Sequence, residues 1–288
     1  MNCKLLVLAG GMSSRMKKAI EGESTLNSAL TEQANSLPKG MIGVGNSGRP
    51  FLDYLLYNAH RAGYQEVVLL LNPKDTVTKP HYEKLVAEGN AWGLTIKFAI
   101  QHIPADREKP LGTADAVYQG VHQTPEWAGH RFTVCNSDNL YSVNALQVLR
   151  ETPHANALIS YDPAALGVEP ERVKAFAILR TDSEGHLKDI IEKPNDDQIA
   201  MVLAESGRIG VSMNIFSFTT DQIKPILERV PLNPIRLEKE LPTAVSMLVE
   251  EIPNSVLVIP LAESVPDLTS KSDIAVVQAY LEKEFSEI

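Results

Sequence analysis

A regular change of hydrophobic period restricts this chain's fold more than any other feature. Residues 4–9 form a short apolar run that stops at Gly10-Gly11. Residues 51–63 place apolar side chains three and four apart and end at a glycine. An unbroken apolar run suits a strand buried on both faces, and three-four spacing suits a helix. The pair then repeats as strand 66–71 with helix 81–89, strand 94–100 with helix 113–122, and strand 131–135 with helix 143–151. Strands separated by helices need parallel crossovers, so the expected fold class is an α/β sandwich.

After residue 150 the connections shorten. Strands are expected at 155–161, 174–179, 187–192 and 211–218, with a turn cluster at 181–185 between the second and third. Helices follow at 221–229, 238–250 and 272–285, with a strand at 255–260. No repeat, low-complexity tract or linker divides the 288 residues, which therefore read as one domain, 1–288, whose character changes near residue 150. The polar, weakly periodic stretch from Lys17 to Ser36 reads as a lid, a helical insertion or a surface loop.

Charge and composition remove several classes. With 27 Lys+Arg against 36 Asp+Glu the formal net charge is -9, and the longest basic cluster is Lys17-Lys18. Nucleic-acid binders carry a basic face or stripe, so a nucleic-acid partner is not expected. An acidic protein still binds phosphates where a few cations converge. The two cysteines, Cys3 and Cys135, sit in apolar runs and form neither a disulfide framework nor a zinc pattern. The seven histidines are scattered, which argues against a zinc enzyme, and no G-x-S-x-G elbow is present. No apolar run has the length of a membrane span, and the N-terminal run is too short for a signal peptide. A cytoplasmic, reducing location with no membrane partner is the expectation.

Chemistry concentrates first at Gly10-Gly11-Met12-Ser13-Ser14-Arg15. Glycines let backbone N–H groups approach a phosphate, a following helix N-terminus would add its dipole, and Arg15 can fork onto phosphate oxygens. The pattern is neither GxGxxG nor GxxxxGK[ST], so it is not a dinucleotide fingerprint or a Walker A loop.

The run LAGGMSSRM, followed by Leu37-Pro38-Lys39-Gly40 and the helix FLDYLLYNAHRAGYQEVVLL, resembles the sugar-1-phosphate nucleotidyltransferases. Gln101, Leu111-Gly112-Thr113-Ala114-Asp115-Ala116, Asn136-Ser137-Asp138-Asn139 and Glu192-Lys193-Pro194 occur in that family's order. The resemblance covers nearly the whole chain. It implies a three-layer sandwich with a mixed, mostly parallel, Rossmann-like central sheet of the nucleotide-diphospho-sugar transferase type. It also implies a nucleotide-binding half, 1–150, and a sugar-phosphate-binding half, 151–288.

The activity so implied is Mg²⁺-dependent transfer of a nucleotidyl group from a nucleoside triphosphate to a sugar 1-phosphate, releasing pyrophosphate. Such a reaction needs two anions positioned and their mutual charge neutralised. The resemblance assigns the triphosphate to Ala9, Gly10, Gly11 and Ser13, the leaving phosphates to Arg15 and the α-phosphate charge to Lys39. Gln101 would read the base, its amide suiting a uracil or thymine edge, which favours UTP or dTTP. Gly112 would let the base lie against the backbone beside Thr113. Asp138, at a strand end where open α/β sheets bind ligands, would hold Mg²⁺, with Asp267 as the second metal aspartate. Glu192 would bind sugar hydroxyls, Lys193 the sugar's phosphate, and Asn214 is a further sugar contact. Neighbouring strand residues face opposite ways, so Glu192 and Lys193 serve one ligand only if the strand bends there. The competing readings are a turn or N-cap Asp138, an ordinary turn Asp267 and a surface Glu192–Lys193 pair.

Three departures bear on these roles. Ser13 replaces the family's third glycine, and serine is strained there if the position needs a positive φ. The stretch from Arg15 to Lys39 is longer than usual. Ala175-Phe176-Ala177 replaces the Tyr-Gly often found beside the sugar, so the sugar is not assigned. The SSRM run also suits a molybdopterin or other small-molecule nucleotidyltransferase, against which Glu192-Lys193-Pro194 and the long C-terminal half stand. Ser13 and the insertion also motivate a non-catalytic nucleotide-sensing subunit, against which the intact Arg15, Lys39, Asp138 and Lys193 stand. Oligomeric state is left open, a homo-oligomer included.

Overall fold

The computed structural model describes residues 3–18 and 28–286. Among the described residues ten strands form one mixed sheet. In chain order they are β1 (Lys4–Ala9), β2 (Glu66–Leu71), β3 (Thr95–Ile100), β4 (Arg131–Asn136), β5 (Asn156–Tyr161), β6 (Ala177–Thr181), β7 (Leu187–Ile191), β8 (Val211–Ser212), β9 (Phe216–Thr219) and β10 (Val256–Leu261). The helices are α1 (Ser28–Ser36), α2 (Phe51–Arg61), α3 (Thr78–Ala87), α4 (Thr113–His122), α5 (Val143–Glu151), α6 (Asp196–Ser206), α7 (Thr220–Arg229), α8 (Leu241–Glu251) and α9 (Asp273–Glu284).

Strands β3, β2, β1 and β4 run parallel side by side, as the crossovers require. Alternating side chains of β2 divide between two cores: Val67, Leu69 and Leu71 join α2 and α5, whereas Val68 and Leu70 join α4 and α8. Helices therefore cover both faces, and the architecture is the expected three-layer α/β sandwich. Beyond β4 the direction reverses: β9 lies antiparallel between β4 and β5, and β10 runs parallel to β5 on its far side. Strand β8 also pairs with β5 but turns off to carry the antiparallel ribbon of β6 and β7.

Four local expectations need correction. The strand expected at 174–179 begins at Ala177, because Pro170–Ala175 is a 3-10 helix. The strand expected at 211–218 is two strands, broken where Asn214 takes φ 56°. Helix α6 was not expected, although Asn195 and Gln198 form a reciprocal capping box and Gly207 closes the helix in the left-handed region. Finally, Gly10-Gly11 leads into a turn over residues 14–17 rather than directly into a helix. Of the Lys17–Ser36 stretch, residues 19–27 lie outside the described residues. Its end is α1, whose Leu30 and Ala34 are buried against the α2 side of the core, while the Gln33 side-chain Oε1 accepts the Gly43 N–H at 2.7 Å.

Candidate active site

The carboxyl ends of β1 and β4 open into a cleft of about 420 Å³. Its lining includes Ala9, Gly10, Gly11, Ser13, Arg15, Lys39, Gln101, Gly112, Thr113 and Asp138. Ten of the fourteen residues singled out from the sequence thus share one wall-to-wall space. Parallel strands of unequal connection leave such a crevice at their carboxyl edge.

Lys39 sits in a single 3-10 turn after Pro38, and Asp138 follows β4. Their side chains meet at 2.8 Å across 99 residues of chain, both largely withdrawn from water. A pair so placed holds a cation at the cleft floor without closing it off. Arg15 is exposed and makes no ion pair among the described residues. Ser13 has φ 55°, so the serine does occupy a left-handed position, at a strain of about 1–2 kcal/mol.

Gln101 is buried at the end of β3, with 3% exposure. Its Nε2 donates to the Gly112 carbonyl at 3.1 Å and to Asp115 Oδ2 at 3.2 Å. The donor half of the amide is therefore occupied by the protein, and the acceptor Oε1 faces Gly10. A side chain at Gly10 would lie 2.6 Å from that oxygen, so the close approach itself demands glycine. Gly112 has φ 111°, and a side chain there would lie 2.5 Å from the Lys239 carbonyl. Backbone bonds from Ala114 N to Lys239 O and from Lys239 N to Leu111 O join this turn to the segment before α8. The Thr113 hydroxyl accepts the Leu241 N–H at 2.9 Å, which gives Thr113 a structural duty as well.

Asp267 reaches the same edge through the backbone. Residues 139 and 267 form an antiparallel bridge, with Leu140 N donating to Pro266 O and Leu268 N to Asp138 O. The Asp267 residue is exposed at the rim, but its carboxyl is partly shielded from water. That shielding, reinforced by the Asp138 charge, pushes it up to about 6, against the opposing pull of the Thr269 hydroxyl and Lys39. Two carboxylates with little countercharge between them make a hard, oxygen-only donor pair of the type Mg²⁺ takes, and among the described residues no third His, Cys, Asp or Glu joins them.

Among the described residues, Glu192, Lys193 and Asn214 do not line this cleft. They gather beside it. Ile191 faces Ile178 in one direction of the ribbon and Val211 faces it in the other, so the ends of β7 and β8 emerge at the same sheet edge. Lys193 has φ 48°, which supplies the bend that lets adjacent Glu192 and Lys193 serve one space. Asn214, exposed in the break before β9, is tied to the Asp138 loop. The Tyr141 hydroxyl, near Asn139, donates to the Met213 carbonyl at 2.6 Å.

Sequence reasoning passed over several neighbours. Arg236 lies 3.6 Å from Glu192 and 2.6 Å from the mostly buried Glu240. Partial burial and the Glu240 charge raise the Glu192 carboxyl above its usual range. Arg236 sits in a loop with no periodic signal, and only its partners reveal it. Lys109 and Glu238 also line the cleft, and their position after β3 and before α8 was the available hint.

An open α/β sheet with its cleft at the carboxyl edge defines the class of protein. Over residues 28–264 the chain matches the family described as nucleotidyl transferase, and it belongs to that family. Relatives include the glucose-1-phosphate adenylyltransferase of Koribacter versatilis, 24% identical over 178 residues, which covers 61% of this chain and 42% of the relative. The glucose-1-phosphate adenylyltransferase of Fervidobacterium nodosum is 26% identical over 229 residues, covering 77% of this chain and 48% of the relative. The chain spans about half the length of the curated relatives it matches. Similar solved structures are a UDP-glucose pyrophosphorylase complexed with UDP-glucose (TM-score 0.68, 18% identity, 99% of this chain and 100% of that one). Another is the UTP-bound UGPase from Acinetobacter baumannii (TM-score 0.71, 18% identity, 99% and 95%). At this identity the likeness is one of fold. No helix among the described residues is long and apolar enough to cross a membrane.

Proposed function

We propose that this protein transfers a nucleotidyl group from a nucleoside triphosphate to a sugar 1-phosphate. The observation that carries the reading is the Lys39–Asp138 pair, 2.8 Å apart, on the floor of the cleft that the Gly10–Ser13 loop borders. A phosphate oxygen of the sugar phosphate attacks the α-phosphorus. The bond from the α-phosphorus to the bridging oxygen breaks, and pyrophosphate leaves with the electron pair. In this reading the loop amides and Arg15 bind the departing phosphates, and Lys39 balances charge growing at the α-phosphate. Glu192, Lys193 and Asn214, at the adjacent sheet edge, hold the sugar phosphate in line. Asp138 and Asp267 would hold Mg²⁺, which supplies charge neutralisation between the two anions when bound.

Gln101 offers an acceptor to the base, because its Nε2 is already engaged. The N–H of a uracil or thymine imide matches that acceptor, so UTP or dTTP is the proposed donor. The amino group of adenine matches it as well, and ATP is the second reading, favoured by the two adenylyltransferase relatives. A reducing cytoplasmic setting belongs to the same reading.

The test is pyrophosphate release with Mg²⁺, with nucleoside triphosphates crossed against sugar 1-phosphates. Release confined to one pair, with a nucleotide sugar formed in equal amount, supports the proposal. Triphosphate binding without release from any pair favours a sensing role or a non-sugar acceptor.

A further inference from the structure

Asn72 follows β2 and lines a smaller hollow that shares Ala9, Gly11 and Ser13 with the cleft just described, while Asn72 itself does not line that cleft. It is 7% exposed. Its Oδ1 accepts the Lys74 N–H at 3.0 Å, a local turn that fixes which way the amide points. The amide Nδ2 then donates to the Gly10 carbonyl at 2.9 Å. A peptide group is planar and trans, so its C=O and N–H point in opposite directions. Holding the Gly10 oxygen toward Asn72 therefore turns the N–H of Gly11 away from Asn72, toward the cleft. Gly11 itself lines that cleft, and no atom of the described residues lies within 4 Å of the place its side chain would occupy, so its Cα borders open space.

We propose that Asn72 is a positioning residue, which aims the Gly11 N–H at an anionic phosphate of the bound nucleotide by anchoring the Gly10 carbonyl. Glycine has a wide choice of backbone angles, and without an anchor this peptide has nothing in its own sequence to select one orientation. The inference rests on the proposed nucleotide site but not on the transfer reaction.

The experiment compares Asn72→Asp and Asn72→Ala with the unaltered chain. Asp keeps the acceptor for Lys74 and loses the donor to Gly10. Binding of UTP and ATP is measured beside that of uridine and adenosine, together with the melting temperature. The expected result is a rise of about tenfold or more in Kd for the triphosphate, with the nucleoside Kd and the melting temperature nearly unchanged. Equal weakening of nucleoside and triphosphate, or no weakening of either, overturns the proposal. A measurement without a variant guards against unfolding. In protein labelled with ¹⁵N-glycine, UTP or ATP should move the Gly11 amide proton downfield, and an unmoved Gly11 resonance at saturation overturns the proposal. The unaltered chain separates the two readings. Triphosphate binding without turnover removes the transfer reaction and leaves this comparison intact, whereas absence of triphosphate binding removes both.

Discussion

The two sides of the site are built from different materials. On the proposed nucleotide side the determinants are buried backbone and a buried amide. Gly10 and Gly112 have no room for a side chain, and Gln101 is locked by two hydrogen bonds. On the proposed sugar side they are exposed side chains, Glu192, Lys193 and Asn214, two of them on left-handed backbone at strand ends. Backbone determinants constrain a ligand tightly and tolerate no substitution. Exposed side chains at bends can be exchanged while the fold stands.

The harshest way to break this comparison is at Asp138. Asp138→Ala should lower kcat by about a thousandfold, since in the proposed reaction it removes the carboxylate that would face the phosphates, and it leaves Lys39 unpaired. Its melting temperature should stay within a few degrees, and a larger fall would mark Asp138 as structural. Next comes Gly112→Ala, which forces a side chain against the Lys239 carbonyl at a positive φ. A stability loss of about 2–4 kcal/mol in urea titration is expected. The matching change on the other side, Asn214→Ala, should cost only about 1 kcal/mol of stability, from alanine at φ 56°, and raise KM for the sugar phosphate alone. Gln101→Leu should raise KM for the nucleotide about tenfold and blur the choice of base, read from the ratio of kcat/KM for UTP and ATP.

Two smaller effects sharpen the contrast. Asp267 is shifted up to about 6, so the folded state holds its proton more tightly than the unfolded chain. The stability contributed by this group is present below about pH 4 and is lost as pH rises through 6. Asp267→Asn should therefore match the parent in melting temperature at pH 4 and exceed it increasingly up to about pH 6.5, measured without metal. Arg236→Ala removes a rim ion pair of 3.6 Å to Glu192, and KM for the sugar phosphate should change by only a few-fold.

Local chemistry was enough to read the first half. The unbroken apolar runs of β1 and β2 and the three-four spacing of α2 and α4 specify their elements, and parallel crossovers follow from their alternation. The later half was less legible because its strands are defined by partners. Nothing within 211–218 shows that Val211 pairs with Tyr161 and Ile178 while Phe216 pairs with Val134 and Leu158. The break that exposes Asn214 lies between those two sets of partners. By itself, then, the sequence determined the α/β order, the glycine turn and the chemical types at the site, since these depend on residue identity and short spacing. Only the tertiary structure decided which of them meet. Lys39 and Asp138 are 99 positions apart, Asp267 arrives through a bridge to Asn139, and Asn72 reaches Gly10 across 62 positions. Such juxtapositions follow from sheet register and buried backbone bonds, which arise only when the whole chain has packed.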